Sequence, residues 1–98
     1  MKFKVTKLKQ AEKEIAALTP KQQKELADDY NIIENKGIEF VKRRFLQKGL
    51  FEIKTNNVRS LFKYQENEII LIALVYQKQT NKAPQFYIDL AQKRLKET

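Results

Sequence analysis

The sequence predicts an α+β fold: a short N-terminal strand, a helical hairpin, a three-strand antiparallel meander and a C-terminal helix. Apolar residues recur at three- and four-residue steps between Leu8 and Ile33 and again from Pro84 to Leu95, the spacing that lines one face of a helix. From Leu50 to Tyr76 the period falls to two, and β-branched and aromatic residues dominate, as half-buried strands require. Proline and asparagine punctuation separates these segments.

Phe3 and Val5 alternate with Lys2, Lys4 and Thr6, which reads as an edge strand whose lysines face water and block edge-to-edge pairing. Leu8, Ala11, Ile15 and Leu18 then form the apolar stripe of a helix that must end before Pro20. Thr19-Pro20-Lys21-Gln22 supplies an N-cap, an N1 proline and a capping-box glutamine, so a second helix starts there, with Leu26, Tyr30 and Ile33 as its stripe. Asn35-Lys36-Gly37 stops it. Residues Ile38–Gly49 are mixed and basic and read as a loop or short helical turn. Leu50–Thr55, Val58–Gln65 and Glu68–Tyr76 read as strands joined at Asn56-Asn57 and Glu66-Asn67. The last helix begins at Pro84, with Ile88, Ala91 and Leu95 on its stripe and Tyr87 beside it.

Turn positions fix which side chains share a sheet face. A turn at Asn56-Asn57 sets Lys54 opposite Arg59, Ile53 opposite Ser60, Glu52 opposite Leu61 and Phe51 opposite Phe62. A turn at Glu66-Asn67 sets Phe62 opposite Leu71, Ser60 opposite Ala73, Arg59 opposite Leu74 and Val58 opposite Val75. One face then collects Phe51, Ile53, Ser60, Phe62, Leu71, Ala73 and Val75 and packs on the helices. The other carries Glu52, Lys54, Arg59 and Lys63 around a floor of Leu61, Ile70, Ile72 and Leu74, an arrangement suited to phosphates and flat bases or to a partner's amphipathic helix.

With 98 residues there is room for one domain, spanning 1–98, which buries roughly 60–65% of the surface its unfolded chain would expose. Cysteine, histidine and tryptophan are absent. Disulfide frameworks, zinc-finger chemistry, thiol nucleophiles and His-dependent triads are thereby excluded, and any catalysis falls to Lys, Arg, Tyr, Ser/Thr or carboxylates. No apolar run approaches the roughly 18 residues of a transmembrane helix, so the expectation is a soluble, cytoplasmic protein with no membrane contact. Twenty Lys+Arg against twelve Asp+Glu give a formal charge of +8. Residues up to Phe40 carry eight basic and seven acidic side chains, whereas those after it carry twelve and five. Between Val41 and Lys63 stand Lys42, Arg43, Arg44, Lys48, Lys54, Arg59 and Lys63 against Glu52 alone. Such clustering favours a polyanionic partner; the plain alternative is a solvated, lysine-rich surface.

Three segments in order, Gly49–Lys54, Arg59–Tyr64 and Tyr76–Pro84, resemble segments of the RelE/ParE toxin superfamily. Gly49-Leu50-Phe51-Glu52-Ile53-Lys54 is similar to its Gly-Leu-aromatic-Glu-aliphatic-Arg segment. Arg59 with Leu61, Phe62 and Tyr64 is similar to its Tyr-Arg-aliphatic-aliphatic-Tyr strand. Tyr76-Gln77-Lys78-Gln79-Thr80-Asn81-Lys82-Ala83-Pro84, leading into a helix with Ala91 and Arg94, is similar to the Phe-x-Lys-Lys-Thr-x-Lys-Thr-Pro segment of the HigB-like, phage-associated branch. Lys54 stands where that family usually has arginine, Gln77 replaces the first lysine of a pair, and Ala83 replaces threonine. Lys54 therefore lacks the fork that binds a phosphate at two points.

The resemblance implies a RelE-like fold and the toxin of a type II toxin–antitoxin system: an endoribonuclease that cuts mRNA, commonly on the ribosome. It further implies silencing by a cognate antitoxin, often a helix-turn-helix protein, and we expect the free toxin to be monomeric. The ribose 2′-hydroxyl would attack the adjacent phosphorus and expel the 5′-oxygen, which needs in-line positioning, a proton acceptor, charge stabilisation and a proton donor. Arg59 is the first candidate for the scissile phosphate. Lys78 would stabilise the transition state or protonate the leaving oxygen. Lys54 and Lys63 would position the backbone, and Glu52 is either the base or a counter-ion to Lys54 or Arg59. Tyr76 either stacks on a base or is a buried strand-end tyrosine. Lys42, Arg43, Arg44, Lys48 and Lys82 would hold phosphates without reading sequence. No metal or other cofactor is expected, since Glu52 stands alone near the cations, with Glu66 and Glu68 away at a turn. Alternative readings are a ParE-like gyrase inhibitor and a non-catalytic basic nucleic-acid-binding module.

Overall fold

The computed structural model describes residues 1–79 and 84–98. A five-stranded sheet has the order β1-β5-β4-β3-β2, with β1 at Lys4–Lys7, β2 at Lys42–Gln47, β3 at Leu50–Thr55, β4 at Val58–Gln65 and β5 at Ile69–Gln77. Helices α1 (Lys9–Ala16) and α2 (Pro20–Asn35) precede β2, a single 3-10 turn occupies Ile38–Phe40, and α3 (Gln85–Lys96) follows β5. No described helix is long and apolar enough to cross a membrane.

The helix signals in the sequence act as their chemistry requires. Thr19 Oγ1 accepts from the Gln22 N–H at 3.1 Å while the Gln22 side chain accepts from the Thr19 N–H at 3.1 Å, closing the capping box. Gly37, at φ +135°, ends α2 in a conformation closed to residues with a Cβ, and its N–H donates to the Ile32 carbonyl at 3.0 Å. The expected stripes Leu26, Tyr30, Ile33 and Ile88, Ala91, Leu95 are all buried.

The sheet has two apolar faces. Against α1 and α2 lie Ile53, Val58, Phe62, Ile70, Ile72 and Val75, joined to Ala11, Leu26, Tyr30 and Ile33. Ser60, on the same face, forms a 2.7 Å hydroxyl–hydroxyl hydrogen bond with Tyr30. Against α3 lie Leu50, Leu61, Leu71, Ala73, Leu74 and Tyr76.

Two expectations are corrected. The segment read as loop or helical turn is a turn only at Ile38–Phe40; Lys42–Gln47 is an edge strand paired antiparallel with β3. The meander therefore has four strands, and β1 joins its far side parallel to β5. The second hairpin is also out of the expected register. Gln65 faces Ile69 across a three-residue turn in which Asn67 and Glu68 are left-handed, and an extra residue in β5 between Leu74 and Ile72 shifts the ladder again. The first shift exchanges faces: Leu71 and Ala73 pack under α3, and Ile70 and Ile72 under α1 and α2. The second restores the phase, so Val75 and Leu74 keep their expected sides while Tyr76, not Leu74, faces Arg59.

Side chains cover the sheet on the side of β1. Beyond β1, the Val75 N–H of β5 donates to Glu14 Oε1 at 3.0 Å, and Arg94 Nη1 donates to the Ala73 carbonyl at 3.0 Å. Glu14 and Arg94 pair with each other at 2.9 and 3.0 Å, tying α1 to α3 over that edge. The outer N–H of Val5 in β1 donates to Glu34 Oε2 of α2 at 2.9 Å.

Candidate functional site

The first hairpin has the expected register, so Lys54 faces Arg59 and Glu52 faces Leu61. Strand β2 adds Lys42 opposite Lys54 and Arg44 opposite Glu52. Alternation along the strands puts two rows on the α3 side of the sheet: Lys42, Lys54, Arg59 and Tyr76 in one, Arg44, Glu52, Leu61 and Leu74 in the next. Helix α3 packs over β5 and β4. The cationic ends of both rows, on β2 and β3, lie outside its cover: Lys42 and Arg44 are exposed and Lys54 half-buried.

Glu52 is the charge at the centre, only 1% exposed. A buried carboxylate survives only with partners. Arg44 Nε lies 3.1 Å from Glu52 Oε1, and Arg59 Nε lies 3.8 Å from the same oxygen. Arg59 is itself buried, at 8% exposure, and its Nη1 donates to the Asn56 carbonyl at 2.6 Å and the Val58 carbonyl at 3.1 Å. The guanidinium singled out for a phosphate is thus largely spent on the β3–β4 turn. Glu52, between two guanidiniums, has the surroundings of a counter-ion rather than those of a base.

Tyr76 ends its row beside Arg59, and its buried hydroxyl has no hydrogen-bond partner among the described residues. Burial, with the negative field of Glu52, pushes this phenol up from 10.0 to about 12, so it is a neutral donor at physiological pH and not a base. The Tyr87 ring of α3 stacks on it at 4.2 Å and 18°, and Phe86, 68% exposed, meets Tyr87 edge-on at 5.5 Å. Tyr87 was legible in the sequence only as a residue beside the α3 stripe; its meeting with Tyr76 depends on a helix docking angle that periodicity does not encode.

The other expected residues divide. Lys78 follows β5 directly, half-buried, its backbone N–H held by the Asn57 carbonyl at 2.6 Å, so the end of β5 is fixed against the turn beside Arg59. Lys63 is half-buried further along β4, opposite Leu71. Arg43 belongs to the opposite side of β2 and donates to the Ile38 carbonyl at 3.2 Å. Lys48 is exposed in the β2–β3 turn, and Lys82 lies outside the described residues. Among the described residues no three carboxylates, or other metal-ligating side chains, converge.

This is the fold of the RelE toxins. A toxin–antitoxin complex RelBE2 from Mycobacterium tuberculosis matches with a TM-score of 0.62 at 13% identity, over 80% of this chain and 100% of that one. The archaeal RelE–RelB complex of Pyrococcus horikoshii OT3 matches with 0.63 at 17% identity, over 85% and 100%. A mutant of the E. coli toxin RelE in the free state matches with 0.65 at 18% identity, over 95% and 98%. The family model described as phage derived protein Gp49-like (DUF891) matches residues 13–96, and the chain belongs to that family. Curated proteins show no sequence match. The superfamily resemblance read from three sequence segments is borne out.

Proposed function

We propose that this protein is the toxin of a toxin–antitoxin pair and acts as a metal-independent endoribonuclease on mRNA, engaged at the ribosome and silenced by a cognate antitoxin. The observation that supports this reading most strongly is the row Lys42, Lys54, Arg59 on three adjacent strands. Like charges set directly opposite one another destabilise a sheet. Lys42 opposite Lys54 is such a cost, which a polyanion relieves, whereas Arg59, the third of the row, is offset by Glu52 in the neighbouring row.

RNA carries its own nucleophile, so the protein has to hold the 2′-hydroxyl in line with phosphorus while solvent water takes up its proton, stabilise the charge that builds on the phosphate and protonate the departing 5′-oxygen. Lys54 and Lys42 bind the phosphate backbone. Lys78, whose backbone N–H is held by the Asn57 carbonyl beside Arg59, stabilises the transition state and protonates the leaving oxygen. Tyr76, held neutral, donates a hydrogen bond and keeps its ring against Tyr87. Lys63, Lys48 and Arg43 extend the positive field.

The test is brief induction of the chain in cells without an antitoxin, followed by mapping of RNA 5′ ends. New ends within coding regions accompanied by growth arrest are expected, and Lys78→Ala, which keeps the backbone anchor, should relieve both while melting like the wild type. Growth arrest with intact mRNA and a DNA-damage response would replace this reading with gyrase inhibition. Absence of toxicity would replace it with a non-catalytic binding module.

A further inference from the structure

Two guanidiniums share Glu52, and they are differently placed for a ligand. Arg59 is buried, and its Nη1 is occupied by two carbonyls of the β3–β4 turn. The Arg44 side chain is 40% exposed, lies across from Glu52 on the open strand β2, and among the described residues is engaged through Nε, 3.1 Å from Glu52 Oε1. We propose that Arg44 is the side chain that grips a phosphate of the bound RNA, and that Glu52 and Arg59 are positioning residues that hold it ready. This inference rests on the reading of the chain as an RNA-cleaving toxin.

The physical argument is a division of labour around one buried charge. A guanidinium held in an ion pair through Nε has already lost part of its rotamer freedom, and its two terminal nitrogens are left to meet two phosphate oxygens at once. A lysine in that place would offer a point charge without the fork. Glu52 alone could not release Arg44 toward a phosphate, since it would be left as a buried, unpaired carboxylate. Arg59 prevents that. It is fixed by the Asn56 and Val58 carbonyls and stays beside Glu52 whatever Arg44 does. The neighbouring Lys42 and Lys54 then continue the contact along the RNA backbone.

The experiment uses the full chain and a single-stranded RNA oligonucleotide with 2′-O-methyl riboses, which binds without being cut. Affinity is measured by fluorescence anisotropy over a series of salt concentrations, and thermal unfolding is recorded for each variant. Arg44→Ala should weaken binding by roughly tenfold or more, as loss of a charge-assisted contact does. It should also flatten the log–log salt slope by about 0.7, the value for one phosphate contact on a single strand. Its melting temperature should stay near that of the wild type. Arg44→Lys should restore the slope but only part of the affinity, a pattern that a purely structural role would not produce. Arg59→Lys should lower the melting temperature and leave the slope unchanged. An unchanged slope and affinity in Arg44→Ala, with wild-type RNA cleavage intact in cells, would overturn the assignment of Arg44 and spare the nuclease reading. So would a slope lost in Arg59→Lys but kept in Arg44→Ala, which would exchange the two roles. A wild-type chain that leaves cellular mRNA intact would remove the nuclease reading itself and the assignment with it.

Discussion

Glu14 carries more than its position on a mostly exposed helix suggests. Its carboxylate accepts from the Val75 N–H and pairs with Arg94, which in turn donates to the Ala73 carbonyl. The side chains are 29% and 14% exposed, so the pair is only partly screened. Glu14→Ala strips the acceptor from a sheet N–H, at about 1–3 kcal/mol, and removes a two-point ion pair worth about 1 kcal/mol at this exposure. The expected loss is about 3 kcal/mol, or roughly 12 °C or more in melting temperature for a domain of this size. Glu14→Gln keeps an acceptor for Val75 and loses only the charge, so about 1 kcal/mol is expected. Urea unfolding followed by far-UV circular dichroism measures both. In a double-mutant cycle, Arg94→Ala should couple to Glu14→Ala by about 1 kcal/mol, and high salt should reduce that coupling. If Glu14→Ala and Glu14→Gln cost the same, or both cost less than about 0.5 kcal/mol, water serves the β5 edge as well as Glu14 does and the reasoning fails.

Two further predictions concern buried hydroxyls. Ser60→Ala should cost about 1–3 kcal/mol because it orphans the Tyr30 hydroxyl inside the core, whereas adding Tyr30→Phe should recover part of that loss, measured by the same unfolding assay. Burial pushes the phenols of both Tyr30 and Tyr76 above their ordinary value of 10.0, Tyr76 to about 12. A group that holds its proton more tightly when folded contributes stability below its unfolded pKa and loses it as pH rises toward the folded one. Stability should therefore fall between about pH 10 and pH 12, and Tyr76→Phe should make that fall shallower; an unchanged slope would contradict the burial of its hydroxyl beside Glu52.

Much of this arrangement was legible where local chemistry decides. Thr19, Pro20 and Gln22 start α2 through contacts within one turn, and Asn56-Asn57 sets a hairpin whose five pairs match the expected register, which already brings Lys54, Arg59 and Glu52 to one face. Strand β2 was not legible. Lys42, Arg43 and Arg44 are three cations in succession with no alternation, because an edge strand with Arg44 on Glu52 and Arg43 on the Ile38 carbonyl puts charges on both sides. Nor was the second hairpin. Ile69–Tyr76 is buried on both faces and carries no period, and its register hangs on Glu68, a residue that rarely turns left-handed, and on an extra residue near Ala73. Arg44, which the sequence offers as a phosphate contact that reads no sequence, is set by β2 against the buried carboxylate of Glu52.

The parallel pairing of β1 with β5 orders events in time. Lys4 is matched with Ile69, and Leu8 donates to Ile72, so the first strand of the chain is completed by the last. The hairpins β2–β3, β3–β4 and β4–β5 close short loops and can form while β1 waits, whereas β1 must pair across the whole span from Lys4 to Ile69. Helix α3 likewise needs the Leu61–Leu74 face before it has anything to cover. A nascent chain that has not yet released β5 thus has no closed sheet, and although Lys42, Lys54 and Arg59 can already align on β2, β3 and β4, Tyr76 joins their row only when β5 pairs with β4.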